Sequence, residues 1–267
     1  MLRAPAVAGQ FYPGSKKSLE PLLARLIPEV EPKRAVFGVL SPHAGYVYSG
    51  GVAGRTFATV MIPPEVVILG PNHHGVGHQA AVYAHGGWDT PLGTVPIAEA
   101  LAAAVLAACP LTAADTTAHR FEHSLEVQVP FLQALAGDLA IVPICIGRLP
   151  LEELLALGDG LAVALRTRPV RPLLVASTDM THYESGETAR RKDELALQQV
   201  LALDPAGLYH TVSANRISMC GVLPTVIMLQ AARALGASRA ELVCYANSGD
   251  VTGDQREVVG YAGVVVS

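Results

Sequence analysis

The chain has little charge and few aromatic rings. Only 16% of its 267 residues are Asp, Glu, Lys or Arg, only 5% are Phe, Trp or Tyr, and there is one Trp. With 51% hydrophobic residues, that composition excludes a disordered chain. Lys and Arg (19) fall short of Asp and Glu (23), for a net charge of −4. No basic surface is therefore available for a nucleic-acid backbone or an anionic membrane. No apolar run approaches the roughly 18 residues of a membrane span. The first residues lack the charged-then-apolar pattern of a secretory leader, which points to the cytoplasm. The four cysteines (Cys109, Cys145, Cys220, Cys244) are far apart, with no C-x-x-C pair. That spacing excludes a zinc ribbon and gives no disulfide framework. Phosphate-loop, dinucleotide-loop, H-E-x-x-H and nucleophile-elbow motifs are absent as well.

What is present is an alternation of strand and helix patterns. Residues 35–40, 65–69, 139–146, 173–176 and 258–266 read as strands, rich in Val, Ile and Leu. Residues 97–109, 124–136, 151–165, 188–203 and 222–235 read as helices, and Asp204-Pro205 reads as a cap followed by a first-turn proline. This order predicts an α/β fold: a single three-layer α/β/α domain over residues 1–267. Its central sheet is mixed, mostly parallel, with an antiparallel closing strand. The short Arg/Pro-rich stretch 166–172 reads as a surface loop.

Polar turns follow the strands. Pro42-His43-Ala44-Gly45-Tyr46 follows the first, Gly70-Pro71-Asn72-His73-His74 the second, and Ser177-Thr178-Asp179-Met180-Thr181-His182 a later one. Strand ends of an open α/β sheet meet in one crevice, so these histidines can converge there. Two imidazoles with a thiolate or carboxylate make a metal site with an open face. Neighbouring side chains diverge, so one of His73 and His74 at a metal is favoured over both, and a solvated His-His turn is the alternative. Asp179 and His182, three residues apart, point into the same crevice if they share a helical turn. Tyr46 and Tyr48 are candidates to orient a substrate, and His123 to line the cleft from a helix start. His119 reads as a solvent-facing loop residue, as do His78 and His85. Cys220 precedes a helix, whose N-terminus favours a thiolate. Cys109, Cys145 and Cys244 read as core.

Taken together, the motifs resemble the Memo family. They are Arg3-Ala4-Pro5-Ala6-Val7-Ala8-Gly9-Gln10-Phe11-Tyr12-Pro13, Pro42-His43-Ala44-Gly45-Tyr46, Leu69-Gly70-Pro71-Asn72-His73, Glu122-His123-Ser124-Leu125-Glu126, Ser177-Thr178-Asp179-Met180-Thr181-His182, Cys220-Gly221 with Pro224, and the segment from Tyr245 to Asp254. They run in order over nearly the whole chain. The resemblance implies a fold similar to class III extradiol dioxygenases, which are non-haem iron enzymes. It also implies metal ligands at His43, His73 and Cys220, with Cys220 standing where those dioxygenases place a carboxylate. His74 is left for substrate. Asp179, His182 and His123 become catalytic pocket residues, with His182 as acid/base.

The activity so implied is an iron-dependent oxidoreductase using Fe(II), with copper or zinc as other metals suited to a thiolate. The alternative is a non-catalytic adaptor that holds metal, or a short peptide, in the same cleft. A third reading makes Cys220 a metal-free nucleophile with His182 or His43 as base. The resemblance further implies a small molecule or short peptide in the cleft, and a pathway link to radical SAM and AMMECR-like proteins. A homodimer is compatible with it.

Overall fold

A computed structural model describes residues 1–267. Its centre is four parallel strands in the spatial order Gly38–Ser41, Leu173–Ser177, Glu65–Pro71, Ala140–Ile146. Val66, Val67, Ile68 and Leu69 are all fully buried, as are Ile141, Val142 and Cys145. Continuous burial of that kind means helices cover both faces, as parallel sheets require. Val222–Leu235 packs on the central strands, backed by Leu151–Arg166. Tyr46–Ala58 packs on the sheet and is backed by Lys16–Leu26 and Val129–Leu135. One hydrophobic core runs from Val7 to Val266.

The sheet is mixed, as expected. Val258–Val266 closes it antiparallel to Gly38–Ser41, and Ala240–Asn247 adds a further antiparallel strand outside. On the other side Ala80–Val82 runs antiparallel to Ala140–Ile146. No helix is long and apolar enough to cross a membrane.

Three local expectations change. Residues 124–136 do not form one helix. A single 3-10 turn, Glu126–Gln128, precedes a short helix, Val129–Leu135. Asp179 and His182 do not share a helical turn, because His182 opens the short strand His182–Glu184, paired with Val258–Val266. His119 is fully buried, not solvent-facing. One ring nitrogen, Nε2, donates to the carbonyl of Ala81 at 3.0 Å, and the ring edges pack on Tyr83 and Trp88. Of the cysteines expected in the core, Cys109 and Cys145 are buried and Cys244 is half-buried.

The irregular path of residues 119–128 has a physical cause. The N-terminal segment lies against it and takes its backbone groups. Arg3 donates to the carbonyls of His119 (2.7 Å) and Glu122 (2.7 Å) and pairs with the carboxylate of Glu126 at 2.6 Å. Glu126 also accepts from the N–H groups of Ala6 and Val7 and from the Tyr12 hydroxyl. Further on, the Ser124 carbonyl accepts from Ser177 Oγ at 2.6 Å, so the Gln128 N–H turns to Leu125 in place of the i−4 bond of a regular helix. Both partners of the ion pair are buried, and the Arg3 guanidinium lies 4.2 Å over the Trp88 ring.

Two stability predictions follow. Removing one partner of a buried pair leaves the other charge uncompensated. Arg3→Met should lower unfolding stability by about 3 kcal/mol in a denaturant titration. A loss below about 1 kcal/mol, as for a surface pair, would contradict the anchoring role. The second concerns His119, whose burial lowers its pKa from 6.5 to about 4. Between those values the unfolded chain binds more protons, so stability is lost as pH falls from 6.5 toward 4. The loss due to this residue should total at most about 3 kcal/mol, and His119→Asn should flatten the stability curve over that window. Parallel pH profiles for variant and wild type would refute it.

Candidate metal centre

All four central strands end on the same side, and each carries a polar residue just beyond its C-terminal end. Ser41 leads to His43, Pro71 to His73, Ile146 to Arg148, and Ser177 to Asp179. Neighbouring strand ends are locked together: the N–H of Asn72 donates to Ile146 and that of Thr178 to Ser41.

Three imidazoles converge there. His43, His73 and His123 each offer a ring nitrogen, and these atoms lie within 4.8 Å of one another. The rings of His73 and His123 stack, with centroids 4.7 Å apart, and His43 meets both edge-on at 5.3 and 5.4 Å. Hydrogen bonds fix which nitrogen of His43 is free. Ser177 Oγ donates to the carbonyl of Ser124 (2.6 Å), so it can only accept from Nδ1 of His43 (2.9 Å). The proton is therefore on Nδ1, and Nε2 carries the lone pair. Gln128 donates to the same hydroxyl and to the carbonyl of Pro42, tying the turn down.

Glu122 does the same for His73. Its carboxylate is fully buried and accepts from Nδ1 (2.8 Å) and the backbone N–H (2.7 Å) of His73, and from the N–H of Ser124 (2.9 Å). Nδ1 of His123 lies 3.5 Å from it. Burial acts to raise the Glu122 pKa, but the His73 bonds and charge, with the Ser124 N–H, outweigh it and hold the group charged. A carboxylate on Nδ1 that leaves Nε2 free is the usual support of a metal-binding histidine. Burial lowers the pKa of His43 strongly and that of His123 to about 4, so both rings are neutral near pH 7. Imidazoles whose ring nitrogens lie within 4.8 Å of one another are a donor set that fits a transition metal.

Cys220 adjoins this set. Its sulfur is 3.1 Å from Nε2 of His43 and accepts from the N–H of Asp179 at 3.2 Å. Gly221 makes this approach possible, since a Cβ there would lie 2.3 Å from the carbonyl oxygen of Ser177. Gly70 serves the loop of His123 in the same way, because a Cβ would strike Ser124 and Leu125. Burial, reinforced by the charge of Asp179, pushes the Cys220 thiol up. In the metal-free chain this outweighs the helix N-terminus beside it.

The other expected residues divide. Asp179 accepts from the N–H of His43 at 2.7 Å, so it shapes that turn, and burial raises its carboxyl pKa. His182 points Nδ1 at two carbonyls, of Met180 (2.8 Å) and Ser218 (3.0 Å). Nδ1 must therefore hold the proton, which leaves the lone pair on Nε2. His74 lines the cleft with His73 and Cys220, its Nε2 held by the carbonyl of Phe121. Tyr46 is not brought to the cleft. It is buried among Tyr12 and Phe131, with its hydroxyl spent on the carbonyl of Val127. Tyr48 lines a different cavity, with Tyr261 and Ser248. The cleft beside the histidines has a volume of about 700 Å³. A separate groove of about 760 Å³, between Leu23, Val95 and Leu139, holds none of these residues.

Glu122→Gln tests the orienting role. The amide cannot accept from Nδ1 and both backbone N–H groups as well as a carboxylate does. Metal affinity measured by competition with a chelator should fall roughly 10- to 100-fold. An unchanged affinity in a folded variant would remove Glu122 from the site.

Comparison with known proteins bears on the whole chain. A family profile described as "Memo-like protein" matches residues 3–265. A "MEMO1 family protein" of Methanopyrus kandleri is 41% identical over 279 residues, covering 99% of each chain. Those of Methanosarcina acetivorans and Aquifex aeolicus are 42% and 41% identical over 267 residues, covering 99% of this chain and 99% and 98% of theirs. Among solved structures, an uncharacterized protein of Escherichia coli K12 shares the fold, with a TM-score of 0.61 at 17% identity. That similarity covers 87% of this chain and 100% of the other. The chain belongs to the Memo-like family.

Proposed function

We propose that the strand-end cleft binds a redox-active transition metal, Fe(II) foremost, and that the protein is a metal-dependent oxidoreductase. The observation that carries this reading is the cluster of His43, His73 and His123, with ligand atoms within 4.8 Å. His43 and His73 are the core of the donor set, completed by His123 and by Cys220 as thiolate. Three nitrogens and one sulfur leave a six-coordinate ion two open positions, but close a tetrahedral zinc site. That difference favours iron over zinc as a catalytic ion. Copper shares the preference for imidazole and thiolate. Bound there, Fe(II) supplies a Lewis acid and one-electron chemistry toward O₂ and an electron-rich substrate.

The chain's own residues supply the rest. Ser177 and Glu122 hold the rings in the tautomer that presents Nε2. His182, with Nδ1 locked on two carbonyls, has Nε2 free to take a substrate proton. Asp179 fixes the His43 turn and faces Cys220 through its N–H. His74 borders the space where substrate enters.

Metal analysis of anaerobically purified protein tests this reading. Wild type should hold about one ion per chain, His43→Ala none, and His182→Ala the wild-type amount without O₂-consuming turnover. No metal in wild type after Fe(II) reconstitution would overturn the reading. Metal that never supports turnover would favour the adaptor alternative. A second reading rests on the 3.1 Å contact between Cys220 and His43, the geometry of a base-activated thiol. Metal-free protein in which Cys220 alkylates with iodoacetamide faster than a free thiol would support it.

A further inference from the structure

The fourth strand end has no part in the donor set. Ala140–Ile146 pairs in register with Glu65–Pro71, so Ile146 lies beside Pro71, and the chain continues to Arg148 where its neighbour continues to His73. Arg148 lines the cleft with His73, His74, Gln79 and Cys220. Its backbone N–H is pinned by Gln79 Oε1 at 2.7 Å, whereas its guanidinium forms no ion pair or hydrogen bond within the chain. The Gln79 side-chain NH₂ is likewise free to donate. No Asp or Glu lines this cleft, although the chain has 23 of them. The volume of about 700 Å³ is that of a small-molecule pocket.

We propose that the cleft takes a small oxyanionic molecule whose anionic group docks on Arg148 and Gln79. This places its remainder toward His73 and Cys220, and it deepens the proposed function by assigning a substrate class. The physical ground is a guanidinium exposed on the cleft wall with no carboxylate in the lining. A planar five-donor fork binds a carboxylate through two parallel charge-assisted bonds, and a phosphate almost as well. No carboxylate lines the cleft to compete for that guanidinium.

Calorimetric titration of the metal-loaded protein with benzoate, inorganic phosphate and the neutral isostere benzamide tests this. Benzoate, phosphate or both should bind wild type, and Arg148→Gln should weaken that binding about tenfold or more. Arg148→Lys should fall between them, and benzamide should not discriminate among the three. A stronger response to benzoate than to phosphate marks a carboxylate ligand, and the reverse a phosphate ligand. Equal anion binding by wild type and Arg148→Gln, or binding lost only when metal is stripped, would overturn the proposal. Metal content is measured on the same samples. Anion binding through Arg148 in protein that holds no metal leaves this inference standing and refutes the metal reading. Full metal content without Arg148-dependent binding does the opposite.

Discussion

Glu122 is a carboxylate with no exposed side-chain surface, kept charged by the N–H groups of His73 and Ser124 and by the His73 ring. An isolated charge so placed is costly, and only that number of donors offsets the cost. The arrangement constrains both sides. It sets the tautomer of His73, brings His123 alongside, and fixes where the 119–128 segment meets the strand end at Pro71. The segment is fixed from behind by a second buried pair, Arg3 with Glu126. Residues more than a hundred positions apart are thereby joined into one support for the imidazoles. The N-terminal segment, remote in sequence from every histidine, is part of that support.

The chemistry at the cleft follows from strand topology. Parallel strands order their C-terminal ends along one edge, and the chain order of the four central strands differs from their spatial order. Turns from distant parts of the sequence therefore share a single wall: His43, Asp179, His73 and Arg148 in sequence on the edge. Gly70 and Gly221 let loops approach that wall more closely than any side chain permits. Burial does the remaining work. It keeps His43 and His123 as neutral donors, and it holds Cys220 as a thiol until something offers its sulfur a positive charge.

Much of this was legible in the residues. The β-branched runs ending in Pro42, Pro71 and Ser177 located the strand ends, and the histidines beyond them marked the crevice. The long helices at Leu151–Arg166 and Val222–Leu235 fell where spacing placed them. What was not legible depended on contacts distant in sequence. Leu125, Val129, Leu132 and Leu135 have helical spacing, yet Ser177 takes the Ser124 carbonyl that a helix would give to the Gln128 N–H. His119 looked like a loop residue because its loop is polar, but Ala81 and Trp88 enclose it. Tyr46 follows His43 closely, and the helix that it starts turns it into the core. Glu122 and Ser177 stand inside motifs that give no sign of their role, because that role lies in the proton on a neighbour's ring. The grouping of His123 with His43 and His73 had the same obstacle: the motif marked a pocket residue, and only geometry put its ring beside theirs.

X-ray absorption at the metal edge of iron-loaded protein tests the central claim most directly. The account predicts a first shell of imidazole nitrogens, with their outer-ring scattering, and one longer sulfur contribution that disappears in Cys220→Ala. A first shell of oxygen alone, without imidazole scattering, would contradict it and show that the three histidines are held together for some purpose other than binding metal.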